Sequence, residues 1–256
     1  EKTVSQRRMN NIRGKIMSKT ILTILTCAIW GSAAVADISE TFTKSDETPW
    51  NGSADLTWTG DVGTLDISGN RAEKPLTGQT TIVTDMGTTG YDLGRAWQGT
   101  IGADSSVSVN ANQYGGLILA SSSSDASAIE AGTMTGYRLF WASGDVLDLQ
   151  EASGAGWGSI STISIGSANF NTDPTFTASV TAGGLFSFSD GTTNGTYNAG
   201  GAVTLGQYSG FSFASISDRP LFVDDFSVTA IPEPATLSLI LGSGAGLLWI
   251  RRKFTI

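Results

Sequence analysis

Trp157, in the run Gly154-Ala155-Gly156-Trp157-Gly158-Ser159, is the side chain best placed by its sequence setting to meet a ligand. Glycines on both sides leave its ring uncovered by local neighbours, and a flat indole stacks well on the apolar face of a pyranose ring. Trp50, between Pro49 and Asn51-Gly52, is the second such candidate. Trp58, Trp97 and Trp141 stand in alternating apolar and polar segments and belong by pattern to a core, and Tyr114 completes the pool. A sugar-binding surface would set Asp, Asn or Gln beside such rings to bond hydroxyl groups. Cleaving a sugar instead needs two carboxyls flanking the scissile bond. The best approach to that is Asp145-Val146-Leu147-Asp148-Leu149-Gln150-Glu151, where Asp148 and Glu151, three apart on a strand, point to opposite faces. The pattern fails, and a non-catalytic body is expected.

Composition narrows the chemistry further. The chain has no histidine, and its one cysteine is Cys27. Ser-His-Asp and Cys-His nucleophiles, histidine-ligated metals and internal disulfides are thereby excluded. Between residues 37 and 230 there are 21 acidic and 6 basic side chains, a net charge of −15. That field repels nucleic acid and anionic lipid, so neither is expected as a partner. None of the glycines forms a phosphate-binding fingerprint.

The elements that must position these groups read as strands. Short alternating segments recur at Ala54–Trp58, Thr64–Ser68, Thr80–Val83, Val107–Val109, Leu117–Ala120 and Tyr137–Trp141. They continue at Ser159–Ile165, Phe176–Val180, Leu185–Ser189, Phe211–Ile216 and Leu221–Val228. Turn pairs separate many of them: Asn51-Gly52, Gly183-Gly184, Asp190-Gly191, Asn194-Gly195 and Gly200-Gly201. Helix signals are nearly absent. Many short strands at near-regular spacing predict an all-β body, an antiparallel two-sheet sandwich over residues 37–230. Tyr137–Trp141 is apolar on both faces, as a central strand would be. Leu221–Val228 is expected to pair with Ile38–Phe42.

The closing segment Val223-Asp224-Asp225-Phe226-Ser227-Val228 resembles the last strand of concanavalin A-like and carbohydrate-binding-module jelly rolls. The resemblance implies a jelly-roll topology. It also implies a structural calcium shared between an acid near the first strand and the acid of the last. The matching positions are Glu40 and Asp224, with Asp225 beside them. Calcium takes six to eight oxygen ligands, so backbone carbonyls would have to complete the shell. Glucanases of that fold place their carboxyls as Glu-x-Asp-x-Glu on one strand, which the 145–151 segment lacks.

Both ends carry sorting chemistry. From Met17 run Ser18-Lys19-Thr20, an apolar stretch Ile21–Trp30, and Ala34-Val35-Ala36 before Asp37. This order reads as a secretory signal peptide over 17–36, cut after Ala36, with 1–16 as an upstream extension. The Sec translocon and signal peptidase are the partners it calls for. At the other end stand Pro232-Glu233-Pro234, about sixteen apolar residues over 235–250, and the basic stop Arg251-Arg252-Lys253. Two prolines around one residue remove two N–H donors and favour an extended, accessible backbone. The apolar run falls short of the roughly twenty residues of a full span, and Gly242, Gly244 and Gly246 weaken it as a helix.

Together these residues closely resemble the PEP-CTERM sorting signal. That resemblance covers 231–253 and implies cleavage near the triplet by exosortase, a membrane-embedded cysteine transpeptidase. With the signal-peptide helix read from 17–36, the sandwich is expected to be flanked by a helix at each end, the C-terminal one a transmembrane helix with transient membrane association through 235–250. The implied route is export through an inner-membrane intermediate to the cell surface or exopolysaccharide matrix of a Gram-negative-type bacterium. The primary expectation is thus a non-catalytic exported protein. A lectin-like polysaccharide binder is the first alternative, and an unusual glycoside hydrolase the second.

Overall fold

The computed structural model describes residues 37–74, 78–87, 94–103, 114–142, 146–165, 174–215 and 221–231. The expected signal peptide, Cys27, the segment Val107–Val109, the Pro232-Glu233-Pro234 triplet, the apolar run and the expected basic stop lie outside these residues. Among the described residues, no helix is long and apolar enough to cross a membrane.

Among the described residues, fifteen strands carry the fold. They are β1 (Ile38–Glu40), β2 (Trp58–Gly60), β3 (Asp66–Ser68), β4 (Arg71–Lys74), β5 (Gly78–Asp85), β6 (Arg95–Ala103) and β7 (Tyr114–Ser121). After the helix α1 (Ala126–Ala131) follow β8 (Thr135–Ala142), β9 (Val146–Ser153), β10 (Trp157–Ser164) and β11 (Thr175–Val180). The last four are β12 (Leu185–Ser189), β13 (Asn194–Asn198), β14 (Tyr208–Ser215) and β15 (Leu221–Ala230). They form two antiparallel sheets. One has eight strands in the order β13-β12-β11-β6-β15-β4-β3, with β1 also on β15, and the other runs β10-β9-β8-β7-β14-β5-β2. The expected pairing of first and last strands is present, with Ile38 opposite Val228 and Glu40 opposite Phe226.

Alternation explains the sandwich. On β11, Phe176, Ala178 and Val180 are buried while Thr175, Thr177 and Ser179 remain partly exposed. Inward residues of both sheets meet in one core, the expected result for alternating strands. Its densest part is aromatic. Trp58 lies 5.3 Å from Phe226, 5.6 Å from Phe42 and 6.2 Å from Phe211 between ring centroids. Trp58, Trp97 and Trp141 are all buried, as their pattern required. Tyr137–Trp141 is buried throughout, on a strand flanked by β7 and β9.

Two local expectations are corrected. Asn194-Gly195 is not a turn but the start of β13, and the chain reverses earlier, where Asp190 Oδ1 accepts the N–H groups of Thr192 and Thr193. Gly195 is there for packing: a Cβ would stand 2.6 Å from both Ile163 and Phe188 side-chain atoms. A helix, α1, exists where none was expected. Asp125 caps it by accepting the Ser127 N–H at 3.0 Å, and Gly132 ends it in the left-handed region at φ 65°. The last strand also departs from regularity, for β15 is bulged between Asp224 and Ser227 relative to β6, with Asp225 at φ 52°. Aspartate tolerates that region better than most side chains, which gives the Asp-Asp pair a backbone role.

Candidate functional site

The outward face of the eight-stranded sheet forms a groove of about 550 Å³. Cross-strand register builds its floor from two rows. One runs Ser227, Gln98, Thr177, Ser189, Asn194, and the next Thr229, Ala96, Ser179, Ser187, Thr196. Each row crosses β15, β6, β11, β12 and β13 in turn, at the ~4.8 Å strand spacing of any sheet. The floor is therefore mainly a lattice of short hydroxyl and amide side chains, interrupted by Ala96, with no charged residue in its lining. A third row, Asp224, Thr100, Thr175, lies alongside, and the two threonine hydroxyls are 3.2 Å apart. Asp224 brings the nearest carboxyl along this register. Its partly buried position pushes its pKa up to about 6, chiefly by desolvation and against the Asp225 N–H that bonds it.

A second depression, of about 530 Å³, lies between the start of β8 with the end of β9 and the β13–β14 connection. Tyr137, Tyr197, Glu151 and Thr204 are among its walls, and the Tyr137 hydroxyl donates to Glu151 Oε1 at 2.9 Å. Burial and that carboxylate push the tyrosine pKa well up, so the phenol stays protonated. Glu151 is the one carboxyl in this lining, and the groove has none. Asp148 turns to the other face, as its spacing from Glu151 requires, and accepts from Gln150 and Ser159 at 2.7 and 2.6 Å. Neither depression presents the paired carboxyls of a glycoside hydrolase.

The two tryptophans favoured by sequence are not exposed platforms. Trp50 is 1 % exposed, packs edge-on to Phe42 at 5.8 Å and donates its indole N–H to the Ser53 carbonyl. Its Pro-Trp-Asn-Gly setting suggested a surface turn, but backbone pairing of Trp50 with Leu65 folds that turn over the core. Trp157 opens β10 instead of sitting in a loop, and it is half-buried. Its Nε1–H donates to the Ile129 carbonyl at the end of α1 at 2.6 Å, and the Arg138 guanidinium covers its ring at 4.3 Å. Gly132 permits this: a Cβ there would stand 2.7 Å from the Trp157 backbone nitrogen.

The acids matched to calcium do not form an oxygen cage. Glu40 is fully buried, and its carboxylate accepts three N–H groups. Phe42 N–H donates to Oε1 at 2.7 Å, while Leu56 N–H and the Trp58 indole donate to Oε2 at 2.8 and 3.3 Å. Those donors claim lone pairs that an ion would need. Asp224 Oδ1 accepts the Asp225 N–H at 2.8 Å, and Asp225 is exposed. Among the described residues no three acidic, histidine or cysteine side chains gather to hold an ion. The residues present do not fit calcium. Glu40 instead ties the first strand to the Trp58 segment.

The outward residues of β11 and β12 belong to strands that the sequence predicts, but β6 and β13 were missed, and with them the lattice. The alternation Thr177-Ser179 and Ser187-Ser189 was its legible trace.

No protein-family model and no curated protein matches this sequence. Solved structures do. The carbohydrate recognition domain of Emp47p aligns at TM-score 0.56 and 11 % identity, over 78 % of this chain and 99 % of that one. The carbohydrate recognition domain of Emp46p, in its potassium-bound form, aligns at TM-score 0.53 and 5 % identity, over 72 % and 94 %. At such identities the likeness is one of fold: this chain is an all-β sandwich of the same architecture as those two domains.

Proposed function

We propose that the body of this protein is a non-catalytic polysaccharide-binding domain, and that the groove on the eight-stranded sheet is where the glycan lies. The observation that carries this reading is the uncharged lattice of Gln98, Thr177, Ser179, Ser187, Asn194 and Thr196 along a concave face. Each such side chain both donates and accepts, which suits a ligand that is itself a row of hydroxyls. A nucleic acid would call for cations, and the lining offers none. The shared fold with carbohydrate recognition domains supports the same reading. The jelly-roll topology implied by the last strand belongs to it as well.

The test is titration calorimetry against neutral polysaccharides, with Thr177→Arg and Ser187→Arg as groove-filling variants. Saturable binding abolished by either variant is the expected result. A flat panel, or binding indifferent to both, would overturn the assignment.

Delivery is a second part of the proposal, carried by the sequence of the two ends. The leader exports the chain through Sec, and exosortase processes it at Pro232-Glu233-Pro234. The mature domain then works at the cell surface or in the exopolysaccharide matrix.

A further inference from the structure

The opposite face of the sandwich carries an arginine in an unusual setting. Arg138 lies in the row Ile118, Arg138, Gln150, Ser159 on the outward side of the seven-stranded sheet. It is only 8 % exposed. Its guanidinium lies over two rings, 4.1 Å from the centroid of Phe140 and 4.3 Å from that of Trp157. Its Nε–H donates to Gln150 Oε1 at 2.6 Å, and Gln150 in turn donates to Asp148. Asp148 accepts from Gln150 and Ser159, and the one hydrogen bond of the arginine side chain among the described residues is that to Gln150. The terminal amino groups have no acceptor among the described residues, and neither nitrogen is sealed from solvent.

The Nε–H side of this guanidinium is thus committed to Gln150, and Trp157 beside it is itself pinned through its indole to the Ile129 carbonyl. With the Nε–H anchored, one paired set of N–H donors remains, the edge that matches a carboxylate in bidentate geometry. A lysine could not be held this way, because an ammonium has no plane to stack. Burial depresses the arginine pKa to about 10, with Asp148 opposing, which still leaves it charged at neutral pH and poorly compensated.

We propose that Arg138 is a fork for a single carboxylate borne by a sugar unit of an otherwise neutral polysaccharide. The limit to one carboxylate follows from charge. The body's net −15 repels a run of anions, while one carboxylate placed on the fork gains its local hydrogen bonds. The inference rests on the polysaccharide reading for what carries the acid. It does not rest on the groove, which lies on the other sheet.

The experiment uses glucuronoxylan, a neutral backbone with isolated glucuronate branches, and the same polymer after carboxyl reduction. Both are titrated against the purified protein in about 0.15 M salt, where long-range repulsion is screened. The native polymer is expected to bind about ten-fold more tightly than the reduced one. Arg138→Lys should erase that preference while keeping the affinity for the reduced polymer, which reports that the variant is folded. Equal affinity of the unmutated protein for both polymers would overturn the inference and leave the groove standing. Binding of the native polymer alone, lost in Arg138→Lys and unchanged in Thr177→Arg, would support the fork and sink the groove. Per-carboxylate binding of polygalacturonate tighter than that of glucuronoxylan would reveal a polyanion surface, and so refute the isolated-acid fork.

Discussion

Replacing Asp224 by asparagine should make the protein more stable at neutral pH and change little in acid. The carboxyl sits on the bulge of β15, partly buried, with its pKa raised from 3.8 to about 6. Desolvation is the main cause; the Asp225 N–H and Arg71 oppose it, and the charges of Asp225 and Glu40 add to it. A carboxyl whose folded value exceeds its unfolded one holds its proton more tightly in the native state. Its stabilising contribution is complete below pH ~4 and drains away as the pH climbs through 6. About two pKa units correspond to a ceiling near ~3 kcal/mol, and solvent screening of a partly exposed group brings that to about 1–2 kcal/mol. For a domain of this length, that is a rise of about 2–8 °C in melting temperature. The substituted amide keeps an oxygen that can accept the Asp225 N–H, so the bulge loses no bond. The assay is scanning fluorimetry of parent and Asp224→Asn at about pH 4 and about pH 7.5, either side of the raised value. A rise at the higher pH that vanishes at the lower is expected. An equal shift at both values would refute the electrostatic reasoning. A fall at the higher pH, joined to a drop of the parent's melting temperature in EDTA, would restore calcium at this position.

Glu130→Gln should act in the same direction. Burial, then the neighbouring Asp61, hold the Glu130 carboxyl above its ordinary range, so a plot of stability against pH should fall less steeply above pH ~4.5 in the variant. Trp50→Ala should cost about 3–5 kcal/mol in urea unfolding, because it empties a core site, whereas Trp50→Phe should leave glycan affinity unchanged. Loss of binding in a folded Trp50→Phe protein would mean that the side chain does reach the ligand. Alanine at Pro232, Glu233 and Pro234 should give an uncleaved, membrane-retained precursor in the exporting cell, and normal processing would dismiss exosortase as the partner.

The sandwich was legible because strand alternation is a local property. Leu185-Phe186-Ser187-Phe188-Ser189 states its two faces in five residues, and the structure returns the same five as β12. What escaped detection was less regular. β6 is interrupted by Gly99 and Gly102, β4 is short and charged, and β13 opens on a dipeptide that usually turns. α1 is six residues long, too short for a helical period, although Asp125 and Gly132 mark both its ends.

Sequence by itself determined which chemistry the body lacks residues for, with no histidine, no cysteine between residues 37 and 230 and an excess of acids there, and it set the expectation of an address through the pattern of 17–36 and the Pro-Glu-Pro triplet. It also determined that strands would alternate, since every residue declares its own face. The tertiary structure alone decided which outward residues become neighbours. Thr177 meets Gln98 and Ser189 across strands 79 and 12 positions away, and Arg138 meets Trp157 only because β9 lies between their strands. Exposure of Trp50 and Trp157 was decided the same way. A local glycine run sets how freely the backbone can turn, but what covers an indole comes from elements distant in sequence.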